Sequence, residues 1–447
     1  MMESLKYLFK TRGFLFFKLG VFFILSAPAI ASIFLLISLV SSYLNTNKLQ
    51  INTRLIIPFF IAGIFAIFSA FISTIRAEEI DYLNKTQSWI GLANWIPFFY
   101  FIWRSQLYLQ TNEKRKKIAN MFLLGTVPFV FSSFAQLVLN WHGPFYFMNG
   151  FIIWFQRGID LDSGKGITAM FNNQNYAACW LIIIWPFCIN QFLVLKNLSF
   201  KKIVFLIYSI ILITCVYLTQ SRSGIAGIST STLFLLNKYF VWGIILLFIS
   251  YFLATLSFIP ISIQSFFRKI FSEKIIQAFQ FSNITNFMNE PRIFIYMNTI
   301  PLIMERPFLG WGAATFPFLF NSRYLEFTRE PTHPHNLILE MAYSYGTIFA
   351  IIISLTIFII VIKSFKIIFL NKTEISDENQ RQIKKLNKAW WSSFFALLLS
   401  QMYDIQYFDF RISISFWILL CGLICIIKND YVSNISKKSD EKLNLNK

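Results

Sequence analysis

From the N-terminus the chain is a succession of long apolar runs separated by short polar breaks. A transmembrane helix needs about 20 largely apolar residues. Runs of that size lie at 55–75, 89–109, 118–140, 171–195, 203–219, 241–259, 336–362, 389–408 and 411–427, with a shorter one at 223–237 between two polar turns. The first run, 14–44, is too long for one upright helix, and Pro28 in Ser26-Ala-Pro-Ala29 divides it. The pattern predicts an all-α integral membrane protein with about 12 transmembrane helices. About nine spans fall in 1–259, a large structured external loop occupies 260–335, the remaining spans fill 336–427, and 428–447 is a charged tail.

Composition agrees. Of the 447 residues 56% are hydrophobic and only 14% charged, against about 45–50% and about 25% in soluble domains. There is too little charge to cover a soluble protein of this size, which excludes a soluble enzyme, a disordered chain and a disulfide scaffold. The net charge of +19 would raise nucleic-acid binding in a soluble chain; here apolar runs interrupt every basic cluster, so basic cytoplasmic loops explain it and no nucleic-acid partner is expected. Cys179, Cys188, Cys215, Cys421 and Cys425 all fall inside apolar runs and read as core. The N-terminal run has the basic flank of a signal peptide, but its apolar character continues to Tyr43, so it is expected to be retained.

Charge also orients the chain. With two short spans folded at Pro28, the segments on one side hold 27 Lys+Arg against 8 Asp+Glu, and the other side's loops hold 13 against 12. By the positive-inside rule the first side is cytoplasmic and both termini lie there. The expected location is a bacterial inner membrane, with 141–170 and 260–335 facing the periplasm. Within the longer loop, Ser265–Phe287 carries apolar residues at helical spacing among Arg268, Lys269 and Lys274 and reads as a surface helix. A second short helix starts at Pro291-Arg292 and ends near Arg306-Pro307, before a turn at Gly310-Trp311-Gly312.

Three cationic or titratable groups stand out on that face. Arg222 lies in the turn Thr219-Gln-Ser-Arg-Ser-Gly224, Arg292 begins the short helix, and His335 ends the loop in Thr332-His-Pro-His-Asn336. Two guanidinium forks beside helix N-termini could hold a diphosphate; the bland alternative for either arginine is a headgroup anchor. His333 and His335 lack a third ligand at recognisable spacing, so no metal and no cofactor is expected. Glu340, an acid inside a span, either orients His335, pairs with an arginine, or sits in a buried structural pair.

Four stretches together resemble the O-antigen ligase and polymerase superfamily. Phe171-Asn-Asn-Gln-Asn-Tyr-Ala177 is similar to its Asn-Pro-Asn stretch, with Gln174 where proline is usual. Gln220-Ser-Arg-Ser-Gly224 looks like its Ser-Arg turn. Arg292 through Glu305-Arg-Pro-Phe-Leu-Gly-Trp-Gly312, and His335-Asn-Leu-Ile-Leu-Glu340 continuing to Gly346, resemble its arginine helix and His-Asn signature. The match is strong over about 171–350. It implies a fold similar to metal-independent GT-C-type glycosyltransferases. It also implies inverting transfer of a glycan from a polyprenyl-diphosphate carrier to an acceptor hydroxyl on lipid A-core or a growing envelope polysaccharide. Arg222 and Arg292 would then stabilise the leaving diphosphate, and His335 would act as base. Asn336, Glu340, Asn172 and Asn175 would contact sugar or support the site. The competing class is a polytopic transporter, against which the chain shows no inverted repeat; a purely structural role leaves the arginine–histidine set unexplained.

Overall fold

A computed structural model describes residues 2–44, 53–76, 85–195, 199–236, 246, 249–255, 259–269, 291–324, 331–371 and 377–445. Most of this is helix. Six helices are long and apolar enough to cross a membrane among the described residues: Ile57–Arg76, Asn112–Val138, Gln174–Val194, Phe200–Leu218, Thr347–Leu370 and Phe410–Val432. The expected run 14–44 forms two helices, Met2–Phe23 and Pro28–Leu44, which pack along each other as a hairpin.

The other expected spans take different forms. The 89–109 run is Lys85–Gly91, a 3-10 turn at Leu92–Asn94 and then Ile96–Leu109. The 223–237 run is the 14-residue helix Arg222–Leu235. The 336–362 run breaks at Gly346. The last helix of the 389–408 run begins earlier, at Glu378, in polar sequence, and stops at Gln401. Most of 241–259, and positions 270–287 of the expected surface helix, lie outside the described residues. Twelve spans therefore remain an expectation.

Burial ranks the helices. Phe410–Val432 is the central pillar, with 94% of its apolar window buried, and Gln174–Val194 follows at 72%; Phe200–Leu218, at 22%, is peripheral. Aromatic rings fill the centre: Trp95 stacks on Tyr407 at 4.7 Å, and Trp417 meets Phe59, Phe98 and Phe99. All five cysteines are free and buried.

The chain sorts its helix ends into two sets. One end gathers the starts of Gln174–Val194, Arg222–Leu235, Pro291–Glu305 and Leu337–Tyr345, together with the turn 402–409. At the opposite end Asn112, Val194 and Asn379 border one cavity of about 310 Å³. Between Val127–Val138 and Gln174–Val194, the segment 141–170 contains a small hairpin that the hydropathy pattern does not reveal, Phe145–Phe147 paired antiparallel with Ile152–Trp154.

Two glycines make the site end possible. Gly310 and Gly346 have φ of +67° and +92°, a region that side chains rarely adopt. A Cβ on Gly346 would sit 2.0 Å from the Phe308 carbonyl, and one on Gly310 would sit 2.4 Å from that of Tyr343. The two backbones therefore touch. Trp311 N–H donates to Tyr343 O (2.8 Å), Gly312 N–H to Ser344 O (3.0 Å) and Thr347 N–H to Pro307 O (2.7 Å). This main-chain seam fixes the end of Pro291–Glu305 against the end of Leu337–Tyr345.

Candidate active site

Asn336 starts the His335 side of the site. Its side chain accepts from Ile338 N (3.0 Å) and Leu339 N (3.2 Å), which satisfies the first free amides of Leu337–Tyr345. Its amide nitrogen donates to Met402 O at 2.9 Å, which locks this helix start to the turn after Gln401. The residue before it, His335, has φ +54°, a left-handed backbone that costs a non-glycine residue on the order of 1–3 kcal/mol. Two bonds hold it there. His335 N–H donates to His333 Nδ1 (3.2 Å), and the Tyr296 hydroxyl lies 3.2 Å from His335 O and 3.3 Å from Met402 O.

That strained turn aims the imidazole at Asp404. His335 Nδ1 lies 2.7 Å from Asp404 Oδ1, Asn175 Nδ2 donates to Asp404 Oδ2 at 2.9 Å, and the Arg292 guanidinium is 4.0 Å from the same oxygen. Arg292 is stacked on Tyr403, with Cζ 3.8 Å from the ring centroid. Burial raises the Asp404 carboxyl, but the hydrogen bond and charge of His335, with the charges of Arg292 and His333, outweigh it, and the net shift is downward. Asp404 is therefore an anion at neutral pH, and the proton between it and His335 belongs on Nδ1. That leaves the Nε2 lone pair as the ring's free base.

Asn175 reaches Asp404 because Asn173 caps Gln174–Val194 and accepts from Asn175 N (2.8 Å). Gln174, standing where proline is usual in the resembled family, bonds in both directions across the preceding loop: Gly166 N–H to its Oε1 (2.7 Å), and its Nε2 to Gly164 O (3.0 Å). Arg411 supports the same turn from beneath. It is bonded to Asp409, donates to Met170 O (3.0 Å) and lies 3.8 Å from the Phe171 ring centroid.

Arg222 stands one helix away. Ser221 caps its helix, Gln220 precedes it at φ +54°, and Gln220 Nε2 donates to Leu161 O in the loop that Gln174 also holds. The Arg222 side chain is exposed, and among the described residues no ion pair or hydrogen bond holds it. The site thus has one tethered guanidinium and one free one.

The structure brings together His335, Arg292, Asn336 and Asn175. Asn172 is exposed and stands apart from their hydrogen bonds. Glu340 departs from both functional expectations. It lies one turn inside its helix, on the buried face, where Oε1 accepts from Ser344 Oγ (2.7 Å) and Oε2 has no partner. It neither orients His335 nor pairs with an arginine. The missed residue is Asp404, which hydropathy absorbs into the 389–408 run.

Asp404 also supplies the third ligand that the His-Pro-His sequence lacks. One donor atom each of His333, His335 and Asp404 lies within 4.8 Å of the others, a set able to hold a divalent ion. Both Nδ1 atoms are already engaged, that of His333 by His335 N–H and that of His335 by Asp404, so an ion would have to use Nε2 or displace these bonds. Burial, then the neighbouring His335, pushes His333 down to about 4, so it is neutral at physiological pH.

No curated protein matches the chain. Residues 207–354 match the family model described as O-Antigen ligase. Arg222, Arg292, His335, Asn336 and Glu340 fall inside the matched segment, and Asn175 and Asp404 flank it. The match supports the resemblance carried by the sequence motifs: residues 207–354, about a third of this multi-pass chain, are similar to the O-antigen ligase family.

Proposed function

We propose that this protein is a glycosyltransferase of O-antigen ligase or polymerase type. It would move a glycan from a polyprenyl-diphosphate carrier to a hydroxyl of lipid A-core or of a growing polysaccharide, on the periplasmic face of a bacterial inner membrane, in a fold similar to the GT-C type. The observation that carries the reading is the 2.7 Å contact between His335 and Asp404, with Arg292 beside it.

In this reading Asp404 fixes the tautomer and stabilises the imidazolium, in the manner of the acid in a catalytic triad. His335 Nε2 takes the proton of the acceptor hydroxyl. The hydroxyl oxygen attacks the anomeric carbon as the bond to the diphosphate oxygen breaks, which inverts the centre. Negative charge grows on the departing diphosphate, and Arg292 and Arg222 neutralise it. Arg222, free of protein partners among the described residues, has its donors available for phosphate. Asn336 and Asn175 hold His335 and Asp404 in register. The chemistry needs no metal, because arginine carries the charge that an ion otherwise would.

The test is transfer by purified full-length protein in detergent, with a polyprenyl-diphosphate-linked glycan and candidate acceptors. Activity should persist in chelator. Arg222→Lys, Arg292→Lys and His335→Ala should each lose at least about 100-fold, since an ammonium cannot reproduce the bidentate fork. Chelator-sensitive transfer restored by a divalent ion would replace the base mechanism with the His333–His335–Asp404 ion site. Solute uptake into proteoliposomes with no glycan product would favour the transporter class.

A further inference from the structure

The turn Gly310-Trp311-Gly312 takes no part in the chemistry around His335, yet it gathers guanidinium groups. Arg306 Cζ lies 3.7 Å from a Trp311 ring centroid, and Arg323 Cζ lies 5.4 Å away. The indole itself is fixed: only 6% exposed, it donates from Nε1 to Leu302 O at 2.7 Å.

A third arginine arrives on another helix. The Ser69 hydroxyl lies 2.5 Å from Leu309 O and 3.1 Å from Ser344 O, and a Cβ on Gly312 would fall 2.6 Å from Ser73 Oγ. The last turn of Ile57–Arg76 is thus pressed against the same seam, and Arg76 ends it. Partial burial, then the charge of Arg76, and finally that of Arg323, lower the Arg306 guanidinium from its usual value. Glu305 pairs with Arg323, so in this group of four described side chains three cations meet one anion. Like charges gathered at a fixed platform repel one another, and a bound anion relieves that repulsion.

We propose that Arg306 and Arg323, over the Trp311 ring, together with Arg76 at the adjoining helix end, form a second anion site that takes a phosphate group of a lipid. Thirteen helical residues separate Arg292 from Arg306, a rise of roughly 20 Å at about 1.5 Å per residue. A diphosphate held at Arg292 cannot also reach this corner. The phosphate belongs to a different molecule, either an anionic acceptor glycolipid or a bilayer phospholipid; the first source rests on the glycan-transfer reading, and the second does not.

The experiment uses the full chain in phosphatidylcholine nanodiscs. The probes are a glycolipid carrying two phosphate monoesters, its dephosphorylated form, and phosphatidylglycerol. Charge-assisted hydrogen bonds are worth about 1.5–3 kcal/mol each, or about tenfold or more in affinity. Wild-type protein should therefore bind the phosphorylated glycolipid at least about tenfold tighter than the dephosphorylated one. The Arg306→Gln/Arg323→Gln variant, alone and with Arg76→Gln, should erase that difference, and Arg306→Lys/Arg323→Lys should restore part of it, which separates loss of charge from loss of fold. Phosphatidylglycerol competing as well as the glycolipid supports the site and assigns it to bilayer headgroups; failure to compete supports it and assigns it to the acceptor. Equal affinity for both glycolipids, or phosphate preference unchanged in the glutamine variants, overturns the proposal. Polyprenyl diphosphate is titrated in parallel. Its binding should survive the Arg306 and Arg323 changes and fall in Arg292→Gln, so a protein that ignores it defeats the transfer reading without touching this site.

Discussion

Asp404→Asn is the substitution that bears hardest on the proposed chemistry. The carboxylate accepts from His335 and Asn175 through separate oxygens, at 2.7 and 2.9 Å, and stands 4.0 Å from Arg292. An amide has one acceptor oxygen and one donor nitrogen. It can satisfy Asn175 only by turning its NH2 to His335, which moves the imidazole proton to Nε2 and removes the base. Losing one charge-assisted bond costs about 1.5–3 kcal/mol, a factor of about 10 to 150. Trapping the wrong tautomer is worse; the equivalent change in a serine protease triad costs about 10⁴ in kcat. The expected fall in kcat is therefore about 10²–10⁴, with a smaller rise in KM for the carrier as Arg292 loses its neighbour. The assay is detergent-phase transfer, on material shown to be monodisperse. A double-mutant cycle with His335→Ala isolates the mechanism: if Asp404 works through His335, Asp404→Asn adds little once the imidazole is gone. A loss below about threefold in Asp404→Asn, or full multiplication of the two effects, refutes the positioning role.

Other outcomes follow from the same geometry. Gly346→Ala forces a glycine-only backbone and drives a methyl to 2.0 Å from a carbonyl, so its apparent Tm should fall and its expression drop, whereas an unchanged melting curve contradicts the seam. His333 is depressed to about 4 from 6.5; the unfolded chain therefore binds its proton first as pH falls, and stability present above about pH 6.5 is lost towards pH 4. His333→Gln should flatten that part of a thermal-shift profile by on the order of 3 kcal/mol, and an identical profile would show that the burial is not felt. Cysteines placed at Lys116 and Lys384 should resist an impermeant thiol reagent on intact cells while one at His142 reacts; labelling at 116 alone would invert the assigned faces.

The legible parts of the molecule were those whose reason is local. Pro291 and the Gly310–Gly312 turn bracket a helix that runs Pro291–Glu305, close to where punctuation alone places it. The His-Asn pair announces its own turn, because Asn336 caps the helix that follows. Asp404 has no such local reason. It lies 69 residues beyond His335, and a window average over 389–408 hides one acid among leucines and phenylalanines. The turn after Gln401 exists because Asn336 and Tyr296 hold the Met402 carbonyl, and a contact between distant elements leaves no periodicity. For Glu340 the sequence leaves three readings open, and the side chain takes the buried one, because four residues along a helix bring it to Ser344 rather than to His335. Hydropathy likewise cannot register the breaks at Leu92–Asn94 and Gly346, since neither interrupts the apolar run.

The four helices that begin at the site end present their N-termini whatever side chains accompany them. Each contributes about half a positive charge from its backbone, and that charge is the same before and after a glycan departs. Because the charge on the diphosphate grows as the glycan departs, a fixed positive field attracts the leaving group more than the bound donor. On the proposed reading, the spent polyprenyl diphosphate is gripped more firmly than the loaded donor. Catalytic turnover is then set by escape of the product into the bilayer, with a rapid first round of transfer, a slower steady state, and inhibition by added carrier diphosphate that rises as the ionic strength is lowered.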